Sequence, residues 1–245
     1  MAWATSHSEW GVKDWKIFIF SDESKFNVIG SDGIQYCRLG PNEEFQAQNV
    51  QKRMKHGGGS IMVWGCITPL GYGRLHCIEG IMKKEEYCAI LEESFLGTLH
   101  DYNLDVEDVI FQQDNDPKHT SKLVKEWFSD NGIEVLPWPA NSPDMNPIEH
   151  VWGELERKVQ CRTPPPTTKD QLWTALEEEW KNLRLDYLEK LYESMHHRIL
   201  SLSLCNVLFQ LTSRLQVPSH YALRFLNSSQ FAVRSLFPCS VYGLY

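Results

Sequence analysis

Three carboxylates stand where metal-assisted chemistry would need them. Asp22 closes the apolar run IFIFSD, Asp114 closes VIFQQD, and Glu149 lies just inside a stretch that reads as a helix opened by Pro147. Strand ends and helix starts bring distant positions to one edge of an α/β sheet, where such sheets usually place their sites. Carboxylates converging there without basic partners repel one another unless cations lie between them. Hard oxygen donors select magnesium or manganese over zinc. Two such ions about 4 Å apart can activate a water or a 3′-hydroxyl and stabilise the leaving oxygen of a phosphodiester. A bland reading stays open for each acid. An aspartate after a strand also forms turns or caps helices, and the helix dipole favours a glutamate in a first turn.

The neighbouring residues carry weaker signals. Lys118 and His119, beside Asp114, are candidates for contacting DNA phosphates or the scissile group; capping a helix that starts near Thr120 is the competing role. Asp116 and Asp144 read as turn formers, and Glu23 faces away from Asp22 if the strand continues through both. Gly57–Gly59 lacks the following Gly-Lys-Ser/Thr of a phosphate loop, so no nucleotide cofactor is expected. Trp64, Trp138 and Trp152 read as core or loop anchors.

The elements that must position these side chains follow from apolar periodicity. Strands are predicted over 15–21, 60–68, 73–79, 108–113 and 133–136, with a hairpin at 25–38 and a mobile polar loop over 40–59. Helices are predicted over 83–99, 121–131 (closed by Gly132), 147–159, 168–182 and 184–194, with TPPP at 163–166 as a break. Strands alternating with helices indicate a mixed α/β sheet with helices packed on it.

Composition bounds the rest. The 245 residues suffice for a sizeable core, and 42% hydrophobic with 23% charged residues is ordinary for a globular chain. A net charge of −8 runs against a nucleic-acid surface and suggests that a basic DNA-reading part lies elsewhere. Seven scattered cysteines without a CxxC pair form neither a disulfide framework nor a zinc pattern, which fits a reducing, intracellular compartment. There is no signal-peptide pattern and no apolar run long enough to span a bilayer. From Ser194 to Tyr245 there is no Asp, Glu or Lys, although 32 acids precede it. That change reads either as an altered-frame end or as a small helical subdomain.

Four blocks resemble the mariner-like transposases, in particular the Tc-type branch: DWKIFIFSDESKF (14–26), HGGGSIMVWGCIT (56–68), FQQDNDPKHTS (111–121) and LPWPANSPDMNPIEHVWGELERKV (136–159). The 34 residues between Asp114 and Glu149 match the spacing of that branch. The resemblance covers about residues 1–195. It implies a ribonuclease H-like fold, a five-stranded mixed sheet flanked by helices, here with an irregular C-terminal tail. It implies catalytic and metal-binding roles for Asp22, Asp114 and Glu149, with two Mg²⁺ or Mn²⁺ ions. The partners implied are double-stranded DNA, as transposon ends and a TA target, with a homodimer as one option, action in the nucleus, and no membrane. Residues 1–13 would be a linker remnant, 14–162 the catalytic domain, 163–195 its C-terminal helices, and 196–245 an atypical tail. The family's helix-turn-helix modules have no counterpart before residue 14, which suggests a truncated copy. The alternatives are a domesticated, non-catalytic nucleic-acid or protein-binding domain and a ribonuclease H-type nuclease.

Overall fold

A computed structural model describes residues 2–28, 59–140 and 142–214, the backbone alone over 203–214. Residues 29–38 of the hairpin predicted at 25–38, most of the 40–59 loop and residues 215–245 lie outside the described residues, and Lys25–Asn27 belong to the first strand.

The centre of the molecule is a mixed sheet of β1 (Phe18–Asn27), β2 (Ser60–Thr68), β3 (Gly71–Tyr72), β4 (His76–Ile78), β5 (Ile110–Gln112) and β6 (Glu134–Val135). β3 and β4 both pair antiparallel with β2 and share one lane, so the sheet has five lanes in the order β3/β4, β2, β1, β5, β6. β2 runs antiparallel to β1, whereas β5 and β6 run parallel to it and to each other.

β1 continues past the apolar run. It was expected to stop at Asp22, yet it runs to Asn27 because β2 supplies ladder partners all the way, Asp22 opposite Gly65 and Asn27 opposite Ser60. Trp15, expected in the strand, instead ends a short helix, α2 (Val12–Trp15). The parallel pairing with β5 covers only Phe18–Phe20. Asp22 therefore lies mid-strand with respect to β2 but beyond the point where β5 stops.

Alternation along β1 splits the core in two. Phe18 and Phe20 face one cluster with Ile148, Val151, Leu155, Leu176 and Tyr192, and Ile19 faces the other with Trp64, Tyr87, Phe95 and Phe111. On the second face lie α3 (Lys84–Ile90), a π-helical turn (Leu91–Phe95), α4 (Leu96–Tyr102) and α5 (Lys122–Asp130). The first face is covered by α6 (Ile148–Gln160), α7 (Lys169–Lys181) and α8 (Leu185–Arg214). In α6 the buried positions Ile148, Val151, Trp152, Leu155 and Val159 recur at helical spacing, which is why this helix lies on the sheet. Tyr192 of α8 donates its hydroxyl proton to the strand ends at Phe18 O (2.9 Å), with Ile67 O 3.1 Å away.

The segment from Ser194, which reads either as an altered-frame end or as a small helical subdomain, begins inside α8. The helix runs unbroken through Ser194, and Met195 and Ile199 are fully buried in the first cluster. The compositional change thus falls inside an element whose buried positions Leu188, Leu191, Tyr192, Met195 and Ile199 recur at helical spacing. α1 (Ala2–Ser6) and α2 pack on α8, and the Trp10 carbonyl lies 2.7 Å from His196 Nδ1. Among the described residues no helix is long and apolar enough to cross a membrane.

Candidate active site

Asp22 sits on the α6 face of β1, the same face as Phe18 and Phe20. The indole N–H of Trp152 donates to its Oδ2 at 3.3 Å. Trp152 can come so close because its strand neighbour is glycine: a Cβ on Gly65 would lie 2.7 Å from the Trp152 ring. The ring is stacked on Trp180 of α7, with centroids 5.2 Å apart, and Trp180 donates to the Gly73 carbonyl at 2.7 Å. Asn146 ties the start of α6 to the same strand. Its Nδ2 donates to Ser21 O at 3.0 Å and its Oδ1 accepts from Ile148 N at 3.3 Å.

Asp114 follows β5 and opens a turn that ends at the N-cap Ser121 of α5. Its Oδ1 takes two donors, the Asp116 N–H at 3.0 Å and His119 Nδ1 at 2.5 Å. Asp116 shapes the turn by accepting from Lys118 N at 2.9 Å and, through its carbonyl, from His119 and Thr120. The other edge of the His119 ring meets Glu23 of β1, Nε2 to Oε1 at 3.3 Å, an ion-pair contact whose angle is not that of a hydrogen bond. Lys118 Nζ lies 2.8 Å from Asp116 and 3.7 Å from Glu23. Glu149 is the second residue of α6 and is exposed.

The charges are unevenly balanced. Burial pushes the Asp22 carboxyl up from 3.8 to about 8, and repulsion from Glu149, Glu23 and Asp114 adds to the rise. Asp114 is held below the usual carboxylate range, chiefly by the hydrogen bond from His119. For His119 burial opposes the charge, but its contacts with the carboxylates of Asp114 and Glu23 outweigh it and lift the ring to about 9. It is therefore an imidazolium at neutral pH and donates to Asp114. Glu149, although its side chain is exposed, is raised by the desolvation that adjacent protein imposes.

Asp22, Asp114 and Glu149 thus reach one edge of the sheet, close enough for each of the other two to act on Asp22. Among the described residues, no three His, Cys, Asp or Glu side chains stand close enough to hold one metal ion as they are. The donor set nevertheless suits a hard divalent cation. It is all oxygen, and among the described residues Asp22 has two N–H donors, the Trp152 indole and the Glu23 backbone, and no ion-pair partner against three acids.

Lys118 and His119 do not cap a helix, since Ser121 caps α5 with its own side chain. His119 is also not placed to reach DNA. It is buried, with both ring nitrogens turned to carboxylates. Trp64, Trp138 and Trp152 are buried anchors. By strand parity Glu23 points away from Asp22 and carries no expected role. It does so, but the opposite face is where the turn after Asp114 returns, which strand parity alone could not reveal. Tyr87 and Asn146 gave no local signal at all.

A family described as DDE superfamily endonuclease matches residues 18–173. The chain is 41% identical over 200 residues to the transposable element Tc1 transposase of Caenorhabditis elegans, spanning 81% of this chain and 71% of that one. Its fold is similar to that of the Mos1 transposase in a paired-end complex with the left transposon end, with a TM-score of 0.65 at 15% identity, covering 82% of this chain and 57% of the Mos1 chain. The Mos1 transposase catalytic domain with Raltegravir and Mg matches with a TM-score of 0.59 at 15% identity, covering 81% of this chain and 86% of that domain.

Proposed function

Because this chain belongs to the DDE superfamily endonucleases, within the Tc1/mariner transposase group, we propose that Asp22, Asp114 and Glu149 are its catalytic triad, acting on DNA with divalent metal ions. The single observation that carries the reading is the placing of Asp22, a half-buried carboxyl that feels Glu149 and Asp114, the acids of the other two motif blocks, and that has no ion pair of its own among the described residues. Asp22, Asp114 and Glu149 would hold the ions between them. Mg²⁺ or Mn²⁺ bound there would lower the cost of forming an attacking oxygen and of releasing the leaving oxygen at a phosphodiester.

The protein's own contributions follow from its contacts. Trp152 holds Asp22 Oδ2 from the α6 side and keeps water off that face. His119 and the Asp116 N–H fix Oδ1 of Asp114, which leaves Oδ2 without a hydrogen bond among the described residues. Asn146 sets the start of α6, and with it Glu149, against β1. Glu149 and Asp114 are exposed, as a site that must admit a duplex requires. The finer partners belong to the same proposal: terminal-repeat ends, a TA target, a second copy of the chain, and action in the nucleus.

The test is Mn²⁺- or Mg²⁺-dependent nicking of supercoiled DNA by the full chain and by Asp114→Ala. Nicking by the parent and its loss in the variant are expected. Equal nicking in both, or none in either, would overturn the reading.

A further inference from the structure

The group that holds Asp114 has a second anchor outside the triad. His119 is 4% exposed in its side chain and Glu23 14%, and they meet as an ion pair at 3.3 Å through Nε2 and Oε1, two buried atoms with no hydrogen-bond partner among the described residues. The imidazole therefore lies between two carboxylates, Asp114 on Nδ1 and Glu23 on Nε2. Its remaining freedom is removed by Tyr87. The two rings stack with centroids 4.0 Å apart and planes tilted by 32°. The Tyr87 hydroxyl donates to Gln113 Oε1 at 2.8 Å, and Gln113 Nε2 donates to the His119 carbonyl at 3.2 Å. Ring and backbone of His119 are thus both fixed, and Asp114 inherits that fixity through a short bond to Oδ1.

We propose that Glu23 is a positioning residue for Asp114, acting through His119. The inference rests on the reading of Asp114 as a metal ligand. Glu23 sits on β1 one residue after Asp22 and faces the other side of the sheet, so it cannot join the triad's own cluster. What it can do is hold the far edge of the imidazole. Without it, the ring would still touch Asp114 but could swing about the Tyr87 face, and Oδ2 would sample several directions. A partner behind a ligand group of this kind typically contributes about 10–100-fold in metal affinity or activity. Lys118 adds a cation at 3.7 Å from Glu23 and keeps that carboxylate on the turn.

The experiment compares the full chain with Asp114→Ala, Glu23→Ala, Glu23→Gln and His119→Ala. Mn²⁺ binding is read by titration calorimetry at one pH and thermal midpoints are read in EDTA. Asp114→Ala should lose Mn²⁺ binding. Glu23→Ala and His119→Ala should weaken it by about 10-fold. Glu23→Gln, which keeps an oxygen within reach of Nε2 but not the charge, should restore part of the loss. The Mn²⁺ concentration for half-maximal nicking should rise in the same order, with the saturated rate largely recovered. Unchanged Mn²⁺ affinity in both Glu23 variants, with Asp114→Ala impaired, overturns the positioning role alone. Equal losses in Glu23→Gln and Glu23→Ala also overturn it, since only the field of the charge would then matter. Unchanged affinity in Asp114→Ala removes the ligand reading, and the proposal with it. Should Glu23→Ala fail to fold, Glu23→Gln against the parent decides.

Discussion

Replacing Asp22 by asparagine should stabilise the metal-free protein at neutral pH while abolishing its metal response. In the unfolded chain this carboxyl titrates near 3.8, and in the fold it titrates near 8, because it is buried and faces Glu149, Glu23 and Asp114. A folded-state pKa above the unfolded one gives stability that is complete below about 4 and is lost as pH rises towards 8. At pH 7 the separation from 3.8 is about 3 pH units, and at about 1.4 kcal/mol each this disfavours the fold by about 4 kcal/mol. At pH 5 the same reasoning leaves about 2 kcal/mol. Asparagine has no proton to lose and keeps an Oδ1 that can accept from Trp152, so Asp22→Asn should recover this energy. For a domain of this size that is a rise of about 10 °C in Tm at pH 7 in EDTA, shrinking by half or more at pH 5. The assay is thermal unfolding at both pH values, repeated with Mn²⁺, which should raise the parent's Tm and leave the variant's unchanged. In the parent, Mn²⁺ affinity should climb with pH up to about 8 as Asp22 gives up its proton on binding. A variant that melts at or below the parent at pH 7, or with the same gap at both pH values, would refute the reasoning.

Two further outcomes concern the frame that positions the site. Gly65→Ala places a methyl 2.7 Å from the Trp152 ring and 3.0 Å from Leu75, so it should cost about 1–3 kcal/mol in denaturant unfolding and shift the tryptophan emission as the ring leaves Asp22. An unchanged midpoint would mean that Trp152 does not lie on that strand. Ile199→Ala, within the acid-free segment, should destabilise by about 2–4 kcal/mol because the side chain is fully buried. A neutral result in the same unfolding assay would show that the core ends before α8 does.

The sequence by itself determined which residues are the candidates for chemistry. The short runs before Asp22 and Asp114, apolar throughout and rich in aromatic and β-branched residues, read as buried strands, and the apolar spacing of 148–159 reads as a helix on the sheet with Glu149 near its start. β2 appears with the bounds that its own pattern predicts, Ser60–Thr68. These are local properties, and local periodicity carries them.

What the sequence left undecided needed partners distant in the chain. β1 runs on through the polar SDESKFN because β2 is long enough to pair with it, and only pairing shows that Asp22 is mid-strand on one edge and past the end of β5 on the other. The acid-free segment that begins at Ser194 reads as foreign by composition, yet Met195 and Ile199 are buried under the sheet because burial depends on which face a residue presents. Glu23 points away from Asp22, and what it meets there depends on the third dimension, where the turn after Asp114 brings His119 to the opposite face of β1. Spacing along the chain says which side of an element a group takes; which charge waits on that side is decided only when the elements pack.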